Sequence, residues 1–507
     1  MTSGLTDTTA GSKYYVALVV VTLIQLGPIW TTRYPALADF PNHLARAFII
    51  YHHNEIPEYK AIYEVNWRPI PNLAIDLVIP TLLNFVSLQL ATKIFLSMIV
   101  VLFNWGCHTL GAAAHGKPNW IALTTSFFTY NFAFSFGFVN YLFGLGVFFV
   151  TLGVWLRFQG NWSPSRMLLF SFLVVISYLS HLSSYAFLGI AVFILTVRQS
   201  IHTRSFQIQQ VLGLLSFVPP LIALVFYMHA NLRGGAPMEW WRPLAVKKLI
   251  GLSYPFISHY IYFDLAVGLL FIVGLLFLLT TSRGVNTGLL LVGCALAASY
   301  FVSPMSGGGL FSYLDRRFVV PAIVLIVLAF KIPVSGTMGK TIAPSLVICL
   351  LVLSIVRTGA VWKFWHGISQ DMQVQVDMLN MVPIGAKIFP IFMGERTAGA
   401  TAAYDMNFVM APHYATINRY TFCPTIFAGY GAEVLRIKNP SRGPFIIGRE
   451  TLLTEVDWDR IFRNYEYVWC YKLTDEYKNY LLKTCELTAQ AGQTMLFRIR
   501  ALRNSTG

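Results

Sequence analysis

A carboxylate, an imidazole and a guanidinium lie within eight residues of one another in the segment Tyr34-Pro-Ala-Leu-Ala-Asp39-Phe-Pro-Asn-His43-Leu-Ala-Arg46. This segment follows directly on the first long apolar run, and its two prolines restrict the backbone on either side of Asp39. A carboxylate in such a place can act as a general base, with its pKa raised by desolvation or lowered by Arg46. We therefore predict that Asp39 is the catalytic base. A loop cap or a salt bridge within the loop is the structural alternative.

Two adjacent arginines form a second candidate site. Arg316 and Arg317 lie in the segment Tyr313-Leu-Asp-Arg-Arg-Phe318, immediately before a late apolar run. Arginine offers paired N–H donors that match the oxygens of a phosphate, so this segment predicts contacts to a lipid phosphate. The structural alternative is an interfacial anchor in which Asp315 is the ion-pair partner of the arginines.

Other polar residues near the predicted membrane boundary are candidates for contact with a substrate. They are His43, Arg46, Asn140, His181, Glu239, His259 and Asp315. The serine and tyrosine hydroxyls around His181 favour structural hydrogen bonding of that histidine. The residues around His43 indicate no specific role for it. Lys247 and Lys248 are further candidates for binding a lipid phosphate by charge, with ordinary interfacial lysines as the alternative.

The composition determines which elements must hold these residues in place. Of the 507 residues, 56% are apolar and only 12% are charged, whereas charged residues make up about a quarter of a soluble domain. This predicts a polytopic membrane protein. The formal net charge of +15 is not gathered into a basic face with the fold signals of a nucleic-acid binder, so no nucleic-acid partner is expected.

Eleven apolar segments are predicted to span the membrane. They are residues 14–31, 91–113, 120–136, 138–157, 167–180, 182–197, 208–229, 263–281, 287–303, 316–330 and 341–357. With the N-terminus inside, the inner loops collect lysine and arginine, as the positive-inside rule requires. The odd number of spans then places the C-terminal region outside, on the same face as nearly all acidic residues of the membrane region. For the pair that meets at His181, a single broken helix is the alternative.

The predicted fold class is mainly α: a polytopic transmembrane helical bundle with a small C-terminal α/β extracytoplasmic domain. The transmembrane domain comprises residues 1–358 and includes a long first outer loop, 32–90. Residues 359–507 form the second domain, because short apolar runs alternate there with Gly, Pro and charged residues. A helix is predicted near 474–491. Its three cysteines, Cys423, Cys470 and Cys485, leave the question of a disulfide open.

The segments Ala38-Asp39-Phe-Pro-Asn-His-Leu-Ala-Arg46 and Asp315-Arg-Arg-Phe-Val-Val-Pro321, together with this architecture, resemble the GT-C superfamily of membrane glycosyltransferases. The resemblance implies a polyprenyl-phosphate-linked sugar as donor, an outer-face acceptor that is an envelope glycan, a lipid or a protein, and a place in the bacterial inner membrane. It also implies that Asp39 is the base and that Arg316 or Arg317 contacts the donor phosphate.

The chain departs from that family at one position and leaves two other functions open. Many members have a second acid beside the first-loop carboxylate, whereas Ala38 and Phe40 flank Asp39 here. No obligatory metal and no cofactor are therefore expected. A transporter or flippase of lipid-linked saccharides is the first alternative, and it would show broken helices and polar groups at the bilayer midplane. A surface-polysaccharide polymerase or ligase is the second.

Overall fold

The computed structural model of the chain describes residues 3–159, 161–205, 213–231, 237–307, 312–332, 341–395, 400–429, 433–439 and 447–500. The chain divides into two compact units. The first contains Met1–Trp30, Pro69–Ala74 and Lys93–Trp362, and the second contains Thr31–Arg68, Ile75–Thr92 and Lys363–Gly507.

Helices account for most of the described residues. In chain order they are α1 (Ser3–Thr31), α2 (Phe40–His52), α3 (Pro57–Ile62), α4 (Ala74–Leu83), α5 (Leu88–His115), α6 (Ile121–Thr124), α7 (Phe132–Phe136), α8 (Val139–Phe158), α9 (Pro164–Ser180), α10 (Leu182–Thr203), α11 (Val218–Asn231), α12 (Leu244–Gly251), α13 (Ile261–Thr280), α14 (Thr287–Val302), α15 (Val319–Ala329), α16 (Ala343–Leu379), α17 (Ala400–Asp405), α18 (His413–Arg419), α19 (Trp458–Asn464) and α20 (Asp475–Thr484). The strands are β1 (Tyr63–Val65), β2 (Ile388–Phe392), β3 (Leu435–Ile437), β4 (Ile447–Gly448), β5 (Tyr467–Tyr471), β6 (Cys485–Ala491) and β7 (Thr494–Ile499).

Six described helices are long and apolar enough to cross a membrane: α1, α5, α8, α10, α13 and α16. A span needs about 20 mostly apolar residues, and each of these helices meets that requirement. The chain is therefore an integral membrane protein. Shorter apolar helices include α9 and α14, and the predicted count of eleven spans and their orientation remain predictions. Residues 206–212, at the start of the predicted span 208–229, lie outside the described residues.

The expected span 120–136 is broken into short pieces. Helix α6 is followed by a single-turn 3₁₀ helix, Thr125–Phe128, and then by α7. The cause is local, since the Asn131 side chain accepts hydrogen bonds from the backbone N–H groups of Ala133 and Phe134 and so starts a new helix. Gly137 then ends α7 with a left-handed φ of 87°, a conformation that glycine adopts without a steric cost.

The second unit contains a five-stranded sheet with the order β4-β2-β5-β7-β6. Strand β2 runs parallel to β4 and β5, whereas β7 runs antiparallel to β5 and β6. This agrees with the small C-terminal α/β region predicted from the sequence. The helix predicted over 474–491 ends earlier, at Thr484, because the residues after it form β6 and pair with β7. Cys423, Cys470 and Cys485 are buried free thiols, so no disulfide joins them.

Most of the first outer loop belongs to the second unit rather than to the transmembrane domain that was expected to contain it. Strand β1 pairs antiparallel with β3, with Tyr63 opposite Ile437. The Asn42 side chain donates to the carbonyl of Thr425 at 2.7 Å. Contacts between residues far apart in the chain therefore place this loop in the same unit as the C-terminal region. A single domain boundary near residue 358 does not predict that grouping.

Candidate functional site

Four aromatic rings surround the guanidinium of Arg316. The guanidinium carbon lies 4.1 Å from the ring centres of both Trp241 and Tyr254, 4.7 Å from that of Tyr313 and 5.3 Å from that of Phe132. We call these four rings the Arg316 cage. Cation–π attraction stabilises each such contact by about 0.5–2 kcal/mol. Within the described part of the chain, the guanidinium itself forms no hydrogen bond and no ion pair, so its donors remain available to a ligand.

Asp315 holds the Arg316 cage in place. Its Oδ2 accepts hydrogen bonds from Trp241 Nε1 at 2.9 Å and from Lys248 Nζ at 2.7 Å. Its Oδ1 accepts from the backbone N–H of Arg316 at 2.9 Å. The carboxylate is fully buried, and a buried charge of this kind requires such partners. Asp315 therefore positions the cage, which differs from its predicted role in direct substrate contact.

The two lysines of the predicted phosphate site lie in different surroundings. Lys248 is buried, and its ammonium also donates to the carbonyls of Tyr300 at 2.7 Å and Ser303 at 2.8 Å. An ammonium has three N–H donors, and Asp315 takes the third. Lys248 is therefore a structural cation, and its predicted contact with a donor phosphate does not fit this geometry. Lys247 is exposed on α12.

Arg317 lies against His181 at the junction of α9 and α10. Its Nη1 is 2.8 Å from His181 Nε2, and its guanidinium carbon lies 5.3 Å from the ring centre of Phe138. Tyr141 donates its hydroxyl proton to the backbone carbonyl of Arg317 at 2.7 Å, which fixes the main chain there. Arg317 Nε is buried and has no hydrogen-bond partner among the described residues. No described carboxylate forms an ion pair with this arginine.

His181 has partners other than the hydroxyls that the sequence offered. Its Nδ1 accepts from the backbone N–H of Ser183 at 3.0 Å and so caps the start of α10. The side-chain oxygens of Ser177 and Ser184 are buried without a partner among the described residues. The backbone of His181 is extended, with φ −167° and ψ 136°, and this separates two distinct helices. Helices α9 and α10 are therefore separate at this position, and the assignment of each to a membrane span remains a prediction.

A small cleft in the first unit connects the two arginines. Both guanidinium-bearing residues line it, together with Phe138, Tyr254 and Val320. Apart from the arginines the walls are mostly apolar, so the surroundings of the two guanidiniums are less polar than bulk water. Electrostatic attraction is stronger in such surroundings than in bulk water. The cleft is thus a candidate site for an anion.

Asp39 lies in the second unit, at the residue that precedes α2. Its side chain is partly buried and does not cap the helix. Among the described residues it forms no hydrogen bond and no ion pair, so neither structural alternative for Asp39 is present there. Burial raises the pKa of this carboxyl group from 3.8 to about 7. A carboxyl group with such a pKa is about half ionised at neutral pH, which suits a general base.

His43 lies one helical turn after Asp39 and has few partners. Its ring packs edge-on against Phe427, with 4.9 Å between the ring centres. Its Nδ1 is buried without a partner among the described residues. Burial and the nearby Arg46 hold the pKa of His43 well below its usual range, so the imidazole is neutral. Its predicted contact with a substrate remains a prediction.

Arg46 is a structural residue in this geometry, not a free substrate contact. Its guanidinium is fully buried and forms a bidentate pair with Asp76, with Nε 2.9 Å from Oδ1 and Nη2 2.8 Å from Oδ2. Its Nη1 also forms an ion pair with Glu433. These two carboxylates are far away in the sequence and occupy both edges of the guanidinium. The predicted role in substrate contact therefore does not fit, and burial alone accounts for the shifted pKa of Asp39.

The remaining predicted residues make structural contacts. The Asn140 side chain donates to the carbonyl of Asn72 at 2.7 Å. Glu239 accepts a hydrogen bond from the Ser306 hydroxyl at 2.5 Å. The backbone N–H of His259 donates to Asp264 at 3.1 Å, and burial lowers the pKa of the imidazole to about 3.

Sequence reasoning did not assign Trp241, Tyr254 and Phe132 to the arginine site. The sequence offers one signal for this site, the pair Trp240 and Trp241 near Lys247 and Lys248, and such a pair is also typical of a membrane interface. In the sequence, Phe132 lies 184 positions from Arg316, Trp241 lies 75 positions away and Tyr254 lies 62 positions away, so a sequence pattern alone does not bring them together. Sequence reasoning also missed a buried ion pair between Arg357 and Asp264. Nε of Arg357 lies 3.6 Å from Oδ1 of Asp264.

The architecture is that of a polytopic helical membrane protein with a small α/β unit, as the resemblance to the GT-C superfamily predicts. No protein-family model matches the chain, and no curated protein matches it. Among solved structures, the chain is similar to ArnT from Cupriavidus metallidurans bound to undecaprenyl phosphate, with a TM-score of 0.51 and 11% identity. The similarity covers 97% of this chain and 98% of that chain. The chain therefore shares the fold of this membrane protein, as the resemblance predicted from the sequence leads us to expect.

Proposed function

We propose that the protein is a membrane glycosyltransferase that moves a sugar from a polyprenyl-phosphate-linked donor to an acceptor hydroxyl at the outer face of the bacterial inner membrane. The observation that carries this proposal is the pair of guanidiniums of Arg316 and Arg317, neither of which has a carboxylate partner among the described residues. Unpaired charges at a protected cleft are costly without a counter-ion, so they favour an anionic ligand. The ArnT structure with the same fold contains undecaprenyl phosphate.

The arginines suit the leaving group of this reaction. When the bond between the anomeric carbon and the donor phosphate oxygen breaks, the phosphate keeps the electron pair and gains negative charge. Guanidinium N–H donors that are already in place stabilise this charge without reorganisation. The Arg316 cage keeps one guanidinium fixed through four rings, which lowers the entropic cost of binding.

Asp39 suits the other half of the reaction. In the proposed step the acceptor hydroxyl gives its proton to the Asp39 carboxylate while the hydroxyl oxygen attacks the anomeric carbon. One C–O bond forms, the donor C–O bond breaks, and the sugar configuration inverts. A base with a pKa of about 7 accepts this proton more readily than an ordinary aspartate does. The acceptor is an envelope glycan, a lipid or a protein.

A transporter or flippase of lipid-linked saccharides remains the second candidate, and one observation favours it. The segment with α6 and α7 is a broken helix, a feature of transporter sites. It also supplies Phe132 to the Arg316 cage. A carrier of this kind would need the arginines but no general base. The effect of replacing Asp39 therefore distinguishes the two candidate functions.

The test measures donor consumption by the purified protein in lipid nanodiscs. The donors are polyprenyl-phosphate sugars, a bacterial envelope fraction supplies acceptors, and released polyprenyl phosphate is the product. We expect Arg316→Ala and Asp39→Asn each to lose most of the activity, whereas the exposed Arg463→Ala retains it. Flipping of the same lipids in liposomes, with no release of polyprenyl phosphate and no effect of Asp39→Asn, would overturn the proposal in favour of a transporter.

A further inference from the structure

Both ring nitrogens of His181 face N–H donors. Nδ1 lies 3.0 Å from the backbone nitrogen of Ser183, and Nε2 lies 2.8 Å from Nη1 of Arg317. A neutral imidazole carries one N–H and one acceptor nitrogen, and a charged one carries two N–H groups. The ring therefore cannot accept both hydrogen bonds, and one of the two contacts brings two donors together.

The charged form of His181 is the least compatible with these surroundings. It would direct an N–H at Ser183 and another at Arg317, both of which are donors. Burial and the positive charge of Arg317 accordingly hold the pKa of the imidazole well below its usual range. The ring is therefore neutral, and the choice is between its two tautomers.

The helix cap decides which tautomer is favoured. The Ser183 N–H belongs to the first turn of α10, where a backbone donor has no partner within the helix. Nδ1 satisfies it, so the proton must lie on Nε2. The position of His181 is also fixed from the other side by the close approach of α8 to α10. A Cβ placed on Gly144 would lie 3.3 Å from the Cβ of His181 and 2.4 Å from the Ser184 hydroxyl oxygen.

We infer that His181 Nε2–H and the Arg317 guanidinium together donate to one oxygen of a phosphoryl group. An oxyanion between the two donors converts a repulsive contact into two charge-assisted hydrogen bonds. The unpartnered Nε of Arg317 and the unpaired Arg316 supply the remaining donors of the same site. This inference rests on the proposed function, because it specifies how the donor phosphate of that reaction is held.

The variant that isolates this role is His181→Asn. Asparagine is among the best helix N-caps, so its side-chain oxygen keeps the bond to the Ser183 N–H while the Nε2 donor is lost. The matched control is His202→Asn, the same change at an exposed position in the last turn of α10. Arg317→Met removes the arginine donors of the same site.

The probes are undecaprenyl phosphate in phosphatidylcholine nanodiscs and inorganic phosphate with identical nanodiscs. For undecaprenyl phosphate we expect His181→Asn to weaken binding by about 10-fold or more, with an unchanged melting temperature and with His202→Asn at the wild-type affinity. Binding of the lipid alone assigns the site to a lipid headgroup. Binding of both probes, each weakened by His181→Asn, assigns it to any phosphoryl group.

A second measurement reads the tautomer directly in the wild-type protein. With ¹⁵N-labelled histidine and bound undecaprenyl phosphate, we expect the Nε2 signal of His181, identified by its loss in His181→Asn, to be that of a protonated nitrogen. A protonated Nδ1, or wild-type affinity in His181→Asn with loss in Arg317→Met, would refute the role of His181 alone. Wild-type affinity in every variant would instead refute the phosphate site of the proposed function.

Discussion

Replacing Asp39 with asparagine is expected to stabilise the protein while it removes activity. The carboxyl group has an ordinary pKa of 3.8 in the unfolded chain and a pKa of about 7 in the fold, because burial disfavours its charge. Asparagine has the same shape but does not ionise. A structural cap would behave in the opposite way, since its removal would destabilise the protein.

The size and pH dependence of this effect follow from the two pKa values. A group whose pKa is raised by folding contributes stability that is complete below pH 3.8 and is lost as the pH rises through about 7. Between these two pKa values, each increase of one pH unit lowers the free energy of unfolding by about 1.4 kcal/mol. The shifted pKa of Asp39 therefore lowers the free energy of unfolding by up to about 4 kcal/mol at pH 8, where the buried group is charged, and by about 2 kcal/mol at pH 5, where folding must protonate it. Because Asp39 is partly accessible, these values are upper limits.

Two assays test this reasoning. Thermal unfolding in nanodiscs at pH 5 and pH 8 should give Asp39→Asn a melting temperature above the wild type at both, with the larger gain at pH 8. Wild-type turnover should rise with pH through a midpoint near 7, as the base loses its proton. The control is Asp459→Asn, since the Asp459 side chain is 79% exposed and its loss should leave both quantities unchanged. A lower melting temperature of Asp39→Asn at pH 8 would refute the assignment.

Three further predictions concern the cations. Arg316→Lys keeps the charge but loses the paired donors, so affinity for undecaprenyl phosphate should fall about 10-fold; unchanged affinity would mean that charge alone suffices. Asp76→Asn leaves the buried Arg46 without its bidentate partner, and should lower the free energy of unfolding by about 3 kcal/mol; a melting temperature within a degree of the wild type would contradict this. Lys248→Met should destabilise by a similar amount, whereas the exposed Lys247→Met should change the free energy by less than about 0.5 kcal/mol; equal melting temperatures would count against a structural Lys248.

The sequence predicts those parts of the fold that depend on local patterns. Composition and the distribution of charge predict the membrane bundle, and short apolar runs predict β2, β5 and β7. The break at Asn131 was missed because its side chain acts on backbone groups only two and three residues away within an otherwise apolar run. Strand β6 was assigned to a helix because its sequence, Cys485–Ala491, becomes a strand only through pairing with β7.

The candidate site shows the same limit more sharply. Residue type and neighbours in the chain select Asp39 and Arg316 as candidates, and their roles remain predictions. They do not suffice for Arg46 or Lys248, whose partners are supplied from elsewhere in the chain. Lys248 pairs with Asp315 at a separation of 67 residues, and Arg46 pairs with Glu433 at a separation of 387. Whether a cation is structural or available to a ligand is therefore decided by tertiary contacts.

This distinction separates the fully buried cations of the described residues from the half-buried Arg316 and Arg317, and it is the strongest argument for an anionic ligand. Arg46 has two carboxylate partners, Lys248 has Asp315, and Arg357 has Asp264. In each case the carboxylate compensates for the loss of hydration, as a buried charge requires. Arg316 and Arg317 are adjacent, line one cleft and form no ion pair with any described carboxylate. Aromatic rings hold them in place but do not neutralise them, and in the proposed function the donor phosphate supplies the compensating charge.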